Sequence, residues 1–299
     1  MGVALSGGPD SVALLLLAHA ARPKHVKAAT VDHGLRAESA AEAEFCADLC
    51  AQLGVEHTIL KVDVAAGNVQ AEARASRYAA LGQWCEDTAA AALMTAHHAD
   101  DQAETLLMRL NRGSGLSGLA GVRCSVTIPE HGGNLLRPLL SWRKAELEQI
   151  VTDAGITPIR DPSNADDRFD RARIRKALGE ADWLDPLAIA QSAAHLSDAS
   201  DALEWAANRE WNERVEVNDE ALAYRPTRGI PNELRFRVLS RAITQLGKAP
   251  RGEAVAGLLG ALDEGRGGNV AGVLAIAKDG VWLLRREPPR GEPPSSSQQ

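Results

Sequence analysis

Short β-forming runs at Val3 to Leu5, Val26 to Val31, Val55 to Val62, Ala91 to Ala96 and Leu135 to Leu139 alternate with stretches of helical apolar spacing at 37–53, 70–86, 101–110 and 142–154. A chain that keeps repeating strand, helix, strand buries both element types by laying the strands parallel, with crossover helices on both sheet faces. The alternation therefore predicts a doubly wound, mostly parallel α/β domain over residues 1–181. Its punctuation agrees: Ser141 precedes a helical stretch as an N-cap would, and Gly54 and Gly155 follow two others as C-terminal stops. Beyond Trp183 the pattern changes. Asp185-Pro186 opens a long helical stretch to about Val215, and Pro231 to Leu246 and Glu253 to Leu262 read as further helices. Val270 to Ala277 and Val281 to Arg285 flank Lys278-Asp279-Gly280, a β-hairpin signal. A second, mainly helical domain with a late hairpin is expected over 182–287, and the Pro/Ser/Gln-rich stretch 288–299 reads as a disordered tail.

Composition narrows the function classes. Aromatic residues make up 4% of the chain, too few for an aromatic-rich sandwich or a stacking platform. The four cysteines, Cys46, Cys50, Cys85 and Cys124, form no CxxC pair, which fits buried thiols in a reducing cytoplasm and not a disulfide scaffold or a zinc site. The run Val12 to Leu17 has no basic segment ahead of it, and no stretch approaches the roughly 20 apolar residues of a membrane span, so neither secretion nor a membrane partner is expected. The net charge of −7 argues against indiscriminate nucleic-acid coating. Charge is uneven, however: between Arg109 and Lys144 six basic residues face a single acid, Glu130.

The chemistry concentrates at strand ends. Ser6-Gly7-Gly8-Pro9-Asp10-Ser11 joins the first strand to an apolar helix, where glycines let backbone amides approach an anion and the helix dipole favours one. No Gly-Lys-Ser/Thr follows, so this is not a Walker loop. Asp32 and His33 close the second strand, where open sheets of this type place ligands. After the fourth strand, His97-His98-Ala99-Asp100-Asp101-Gln102-Ala103-Glu104-Thr105 puts Asp101 and Glu104 three apart on one helical face, two carboxylates at a site mouth. A Gly-rich loop led by Arg112 comes next, and residues 160–175 carry turn residues into a basic helix.

SGGxDS at a strand-to-helix turn resembles the pyrophosphate loop of N-type ATP pyrophosphatases, whose fold is adenine nucleotide alpha hydrolase-like. In order, HHADDQAET, RGSGLSGL, Arg137-Pro138-Leu139-Leu140 and DPSNADDRFDRARIR resemble the tRNA(Ile)-lysidine synthetase family. The match runs strongly over about Gly2 to Lys176 and more loosely beyond. The resemblance implies a cytoplasmic ligase that uses ATP, Mg²⁺ and free L-lysine to convert the wobble cytidine of CAU-anticodon tRNA(Ile) into lysidine, with AMP and pyrophosphate released. By the same resemblance Ser6, Gly7, Gly8, Pro9, Asp10, Ser11, Asp32 and His33 hold ATP, with Asp10 the candidate magnesium ligand. Asp101, Glu104 and Arg171 hold lysine, and Asp101, Glu104 and Arg112 are the catalytic set. The basic run from Arg109 supports the anticodon arm, the second domain recognises the rest of the tRNA, and a homodimer is left open. Two departures stand out. Ala172 replaces an asparagine usual in the family, and the loop begins only five residues from Met1, which implies a missing upstream segment in what resembles the short family form. Two other readings remain: a related tRNA-thiolating enzyme, which would need a CxxC, and a non-catalytic ATP-binding regulator.

Overall fold

In the computed structural model of this chain, residues 1–34, 39–62, 69–128, 131–160, 170–218 and 221–287 are described. The expected tail at 288–299 and the turn at 161–169 lie outside them. The chain forms two compact units, Met1–Ser197 and Asp198–Gln299.

The first unit is built from β1 (Gly2–Ala4), α1 (Pro9–Ala21), β2 (Lys27–Asp32), α2 (Ser39–Leu53), β3 (Glu56–Lys61), α3 (Val69–Asp87), β4 (Ala92–Met94), α4 (Ala99–Asn111), α5 (Leu116–Leu119), β5 (Ser125–Thr127), β6 (Asn134–Leu136), α6 (Lys144–Asp153) and α7 (Asp170–Glu180). The six strands lie in the order β3-β2-β1-β4-β6-β5, parallel except for β5. This is the doubly wound α/β architecture that the alternation predicts. Neighbouring residues of one strand serve opposite faces, as the pleat demands. Ala28 packs with the apolar sides of α1, α2 and α6, through Val12, Leu15, Cys46, Leu49, Leu147 and Val151. Ala29 packs on the other side with Leu81, Trp84 and Cys85 of α3. Glycine is required at the start of this sheet, since a Cβ on Gly2 would come 2.5 Å from the Trp84 ring.

The strand order sets where a ligand can sit. The chain steps outward from β1 to β2 to β3 and then crosses back to β4 on the far side of β1, so the direction of winding reverses between β1 and β4. Open sheets of this kind split apart at the carboxyl ends of such a strand pair and leave a crevice. The loops leaving those two strands are Ser6–Gly8 and Thr95–His98. The strand expected at 135–139 is shorter, because Pro138 offers no N–H to a ladder, and it is paired by β5, a hairpin partner that its short length hid from the sequence.

α8 (Pro186–Arg214) runs through the division between the units. The second unit continues with β7 (Val215–Val217), β8 (Ala221–Tyr224), α9 (Asn232–Leu246), α10 (Gly252–Asp263), β9 (Gly268–Val270), β10 (Val273–Lys278) and β11 (Val281–Arg286). The signalled hairpin is β10–β11, the centre of a five-stranded antiparallel sheet ordered β7-β8-β11-β10-β9. Leu239 and Ile243 of α9, Val255 of α10 and Leu284 of β11 are buried together, with Tyr224 edge-on to Trp282 at 5.3 Å. Glu210 is buried there and accepts hydrogen bonds from Tyr224 Oη at 3.2 Å and Thr227 Oγ1 at 2.8 Å, which satisfies a charge that burial would otherwise penalise. Among the described residues no helix is long and apolar enough to cross a membrane.

Candidate functional site

The loop after β1 is shaped to leave amides open. Gly7 takes φ +77°, a left-handed conformation that glycine alone adopts without strain, and its carbonyl accepts a bond from Ile159 N at 2.9 Å. Ser11 braces the turn from inside the helix, accepting from Ser6 N at 3.1 Å and donating to Gly8 O at 3.0 Å. Pro9 occupies the first turn of α1, and no side chain caps the helix at Gly8. Uncapped amides and the positive end of α1 therefore face the crevice, the arrangement that receives phosphate. Asp10 Oδ1 is buried there with no hydrogen-bond partner.

Beside this loop, His98 begins α4 as its N-cap, 3% exposed. Its Nε2 lies 3.5 Å from Asp101 Oδ2 and 3.7 Å from Asp10 Oδ2, and its Nδ1 lies 3.6 Å from Asp100 Oδ2. Burial opposes a charge on the ring, but hydrogen bonds to Asp10 and Asp100 and the charge of Asp101 together outweigh it and push the pKa up to about 9. His98 is thus an imidazolium at neutral pH, protonated on both nitrogens, and the 3.4 Å bond from Asp101 N to Nδ1 belongs only to the neutral ring. The reciprocal bond, His98 N to Asp101 Oδ2 at 3.1 Å, persists in either state. Asp100 turns away from the crevice to cap α6, accepting from Lys144 N at 2.8 Å and pairing with Arg143 at 3.3 Å; burial raises its pKa, but the His98, Lys144 and Arg143 contacts overcome this and hold it well below the usual carboxylate range. His97 is the opposite case: burial, with the charges of Arg137, Arg171 and Arg74, lowers it to about 4 against the pull of Asp101, so it is neutral at pH 7.

Asp101 and Glu104 do share a face of α4, and α7 lies across it. Arg171 bridges the two carboxylates, Nη2 to Asp101 Oδ1 at 2.7 Å and Nε to Glu104 Oε2 at 2.6 Å. Arg175 adds Nε to Glu104 Oε1 at 2.6 Å and Nη2 to Oε2 at 3.1 Å. Glu104, expected at a site mouth, is 2% exposed, while the Asp101 side chain keeps 15%. The complementary spacing, acids three apart on one helix and arginines four apart on another, was readable in the sequence, yet Arg175 attracted no role there.

Other expected residues are more dispersed. Asp32 ends β2, the strand beside β1, and His33 follows it; Asp32 Oδ1 accepts from Gly34 N at 2.9 Å, and both His33 ring nitrogens are buried without partners. Burial and the nearby Arg77 lower the pKa of His33. The charges of Arg77 and Arg74, one turn apart on α3, act on His33 and His97, a pair that sequence reasoning missed. Arg112 caps the C-terminus of α4 and lines a cleft of about 80 Å³ with Met108, Asn111, Arg173 and Ile174. The following Gly-rich loop is held from inside: Gln102 clasps Val122 through both its amide groups at 2.6 and 2.7 Å, and Arg109 Nη1 donates to Gly118 O at 2.5 Å and Gly121 O at 2.9 Å. The basic run is correspondingly less available than its composition suggests. Arg109 and Arg137 point at backbone carbonyls, and Arg143 pairs with Asp100 and Asp185. Ala172 is half-buried on α7.

Magnesium demands hard oxygen donors and few protein ligands. Among the described residues no group of three or more His, Cys, Asp or Glu side chains could hold a metal, but the orphaned Asp10 Oδ1 beside a phosphate-shaped loop fits an ion completed by phosphate oxygens.

Comparison with known proteins bears on the family and the fold. A sequence profile of the PP-loop domain, ATP_bind_3, matches residues 1–181. The tRNA(Ile)-lysidine synthase of Novosphingobium aromaticivorans is 47% identical over 289 residues, 96% of this chain and 88% of that protein. The corresponding protein of Zymomonas mobilis is 42% identical over 97% of this chain and 89% of its own length. Among solved structures, the U34-tRNA thiolase NcsA of Methanococcus maripaludis, with its [4Fe-4S] cluster, superposes with a TM-score of 0.56 at 16% identity, over 66% of this chain and 70% of that one, a likeness of fold.

Proposed function

The chain belongs to the tRNA(Ile)-lysidine synthase family of PP-loop proteins, it forms lysidine in tRNA(Ile) with the use of ATP, and we propose that the crevice between β1 and β4 performs both halves of that reaction. The observation that carries the proposal is the position of His98, whose one ring lies beside both Asp10 of the phosphate loop and Asp101 of the acidic pair.

In the first half, the cytidine 2-oxo oxygen bonds to the α-phosphorus of ATP and the bond from that phosphorus to pyrophosphate breaks. Ser6, Gly7, Gly8, Pro9 and Ser11 shape the loop whose amides receive the triphosphate, and Asp32 and His33 offer polar groups to the nucleoside one strand away. Asp10 would hold Mg²⁺ through Oδ1, and a bound ion neutralises phosphate charge as pyrophosphate leaves. Arg112 is the guanidinium assigned to the charge spreading over those oxygens, but it caps the far end of α4, about 16 Å of helix rise from Asp101, so this role requires the Gly-rich loop it leads to move towards the crevice.

In the second half, the lysine ε-nitrogen bonds to C2 of the adenylated base, the C2–oxygen bond breaks, and AMP departs. The amine must be neutral; at pH 7 removing its proton costs about 4.6 kcal/mol, since a lysine ammonium in water titrates near 10.4. Because Arg171 already spans Asp101 and Glu104, lysine enters by exchange: its ammonium takes the place of the guanidinium on Asp101 Oδ1, and Arg171 receives the amino acid's carboxylate. Asp101, the more exposed acid, is the group the amine meets and the acceptor of its proton.

Thiolation is disfavoured by the cysteines, of which Cys46, Cys50 and Cys85 are buried and only Cys124 is exposed. The test is pyrophosphate release from ATP with a CAU-anticodon tRNA, with and without lysine. Release that needs the tRNA, with lysine consumed one for one, supports the reading; release indifferent to tRNA removes it.

A further inference from the structure

Glu104 is among the most completely buried charges of the described residues, and two arginines share it unequally. Arg171 gives Glu104 a single bond, from Nε, and spends its Nη2 on Asp101. Arg175 places both Nε and Nη2 on Glu104, one to each carboxylate oxygen. A buried carboxylate with only one cation cannot release it, because an unpaired buried charge is heavily penalised. With Arg175 in place, departure of Arg171 leaves Glu104 still held at both oxygens by a planar guanidinium, the geometry that suits a carboxylate best.

We propose that Arg175 is the positioning residue of the lysine site: it holds Glu104 on its own, so that Arg171 is able to leave Asp101 Oδ1 to an incoming alkylammonium. This rests on the lysine assignment made above. Arg175 does not touch lysine in this scheme. It makes the exchange of one cation for another possible without stranding a buried carboxylate, and lysine at position 175 would do so poorly, since an ammonium offers a point charge in place of the two-pronged contact.

The test compares the full chain with Arg175→Lys and Arg175→Ala, measuring KM for lysine and for ATP with CAU-anticodon tRNA. The lysine KM is expected to rise about tenfold in Arg175→Lys and further in Arg175→Ala, with the ATP KM changing by about twofold at most. Millimolar guanidinium ion added to Arg175→Ala refills the vacated position and is expected to lower the lysine KM again. A lysine KM that is unchanged or reduced in both variants overturns the proposal, as does an ATP KM that rises by the same factor. If Arg175→Ala does not fold, Arg175→Lys, which keeps a positive charge, decides by the same two constants. A wild-type protein that releases pyrophosphate with tRNA but consumes no lysine overturns the lysine assignment itself, and this role with it, so the two failures are told apart.

Discussion

Substitution of Gly7 by alanine tests how tightly the phosphate loop is drawn into the fold. Gly7 holds φ +77°, where an L-residue costs about 1–2 kcal/mol. Its new methyl would stand 2.3 Å from Ile159 Cδ1 and 3.2 Å from Cys46 Sγ. Ile159 cannot simply retreat, because its amide is bonded to Gly7 O at 2.9 Å, so its side chain must turn away, an overpacking cost of about 1–3 kcal/mol. Alanine also stiffens the unfolded chain, which returns about 0.4–1 kcal/mol. The net loss is therefore about 1–4.6 kcal/mol, readable as a shift of the urea midpoint, and ATP affinity should fall with it as the loop amides move. Pairing the change with Ile159→Ala should recover the clash and leave the backbone strain, so the two substitutions should be non-additive by about 1–3 kcal/mol. A loss below about 0.5 kcal/mol for Gly7→Ala, or strict additivity in the pair, refutes the reasoning.

Other consequences concern charge. His98 is held near pKa 9 in the folded chain against about 6.5 unfolded, so it contributes about 3 kcal/mol that is fully present below pH 6.5 and lost as pH rises through 9. Stability measured across that window should decline in the wild type and decline less in His98→Gln; parallel curves contradict the imidazolium assignment. Arg112→Ala should slow single-turnover adenylation more than it weakens ATP binding, and a normal single-turnover rate removes the residue from the catalytic set.

The parallel half of the fold was legible because period-two and period-3.6 patterns alternate and are stopped by Gly54 and Gly155. What escaped were elements too short to carry a period, β5 and β7 to β9 with three or four residues each: β5, β7 and β9 pair with the next strand along the chain, and β8 also pairs with the distant β11. α1 begins at Pro9, earlier than the apolar run from Val12 implied, because a proline in the first helical turn loses no hydrogen bond. At the site, Asp101 and Glu104 were legible from their spacing, and the sequence resemblance supplied Arg171. The spacing of Arg175 from Arg171 was equally readable but drew no role, because spacing does not tell that its partner is a buried carboxylate 71 residues away. The basic run misled in the other direction: charge counted along the chain says nothing of whether a guanidinium faces solvent or, as in Arg109 and Arg137, a backbone carbonyl.

The most direct measurement follows Asp101→Asn through both half-reactions, with pyrophosphate and lysidine quantified separately on CAU-anticodon tRNA. If the crevice divides its labour between the phosphate loop and the Asp101–Glu104–Arg171 cluster, pyrophosphate release persists, adenylated tRNA accumulates and lysidine falls sharply. Equal loss of both products, or undiminished lysidine, contradicts that division.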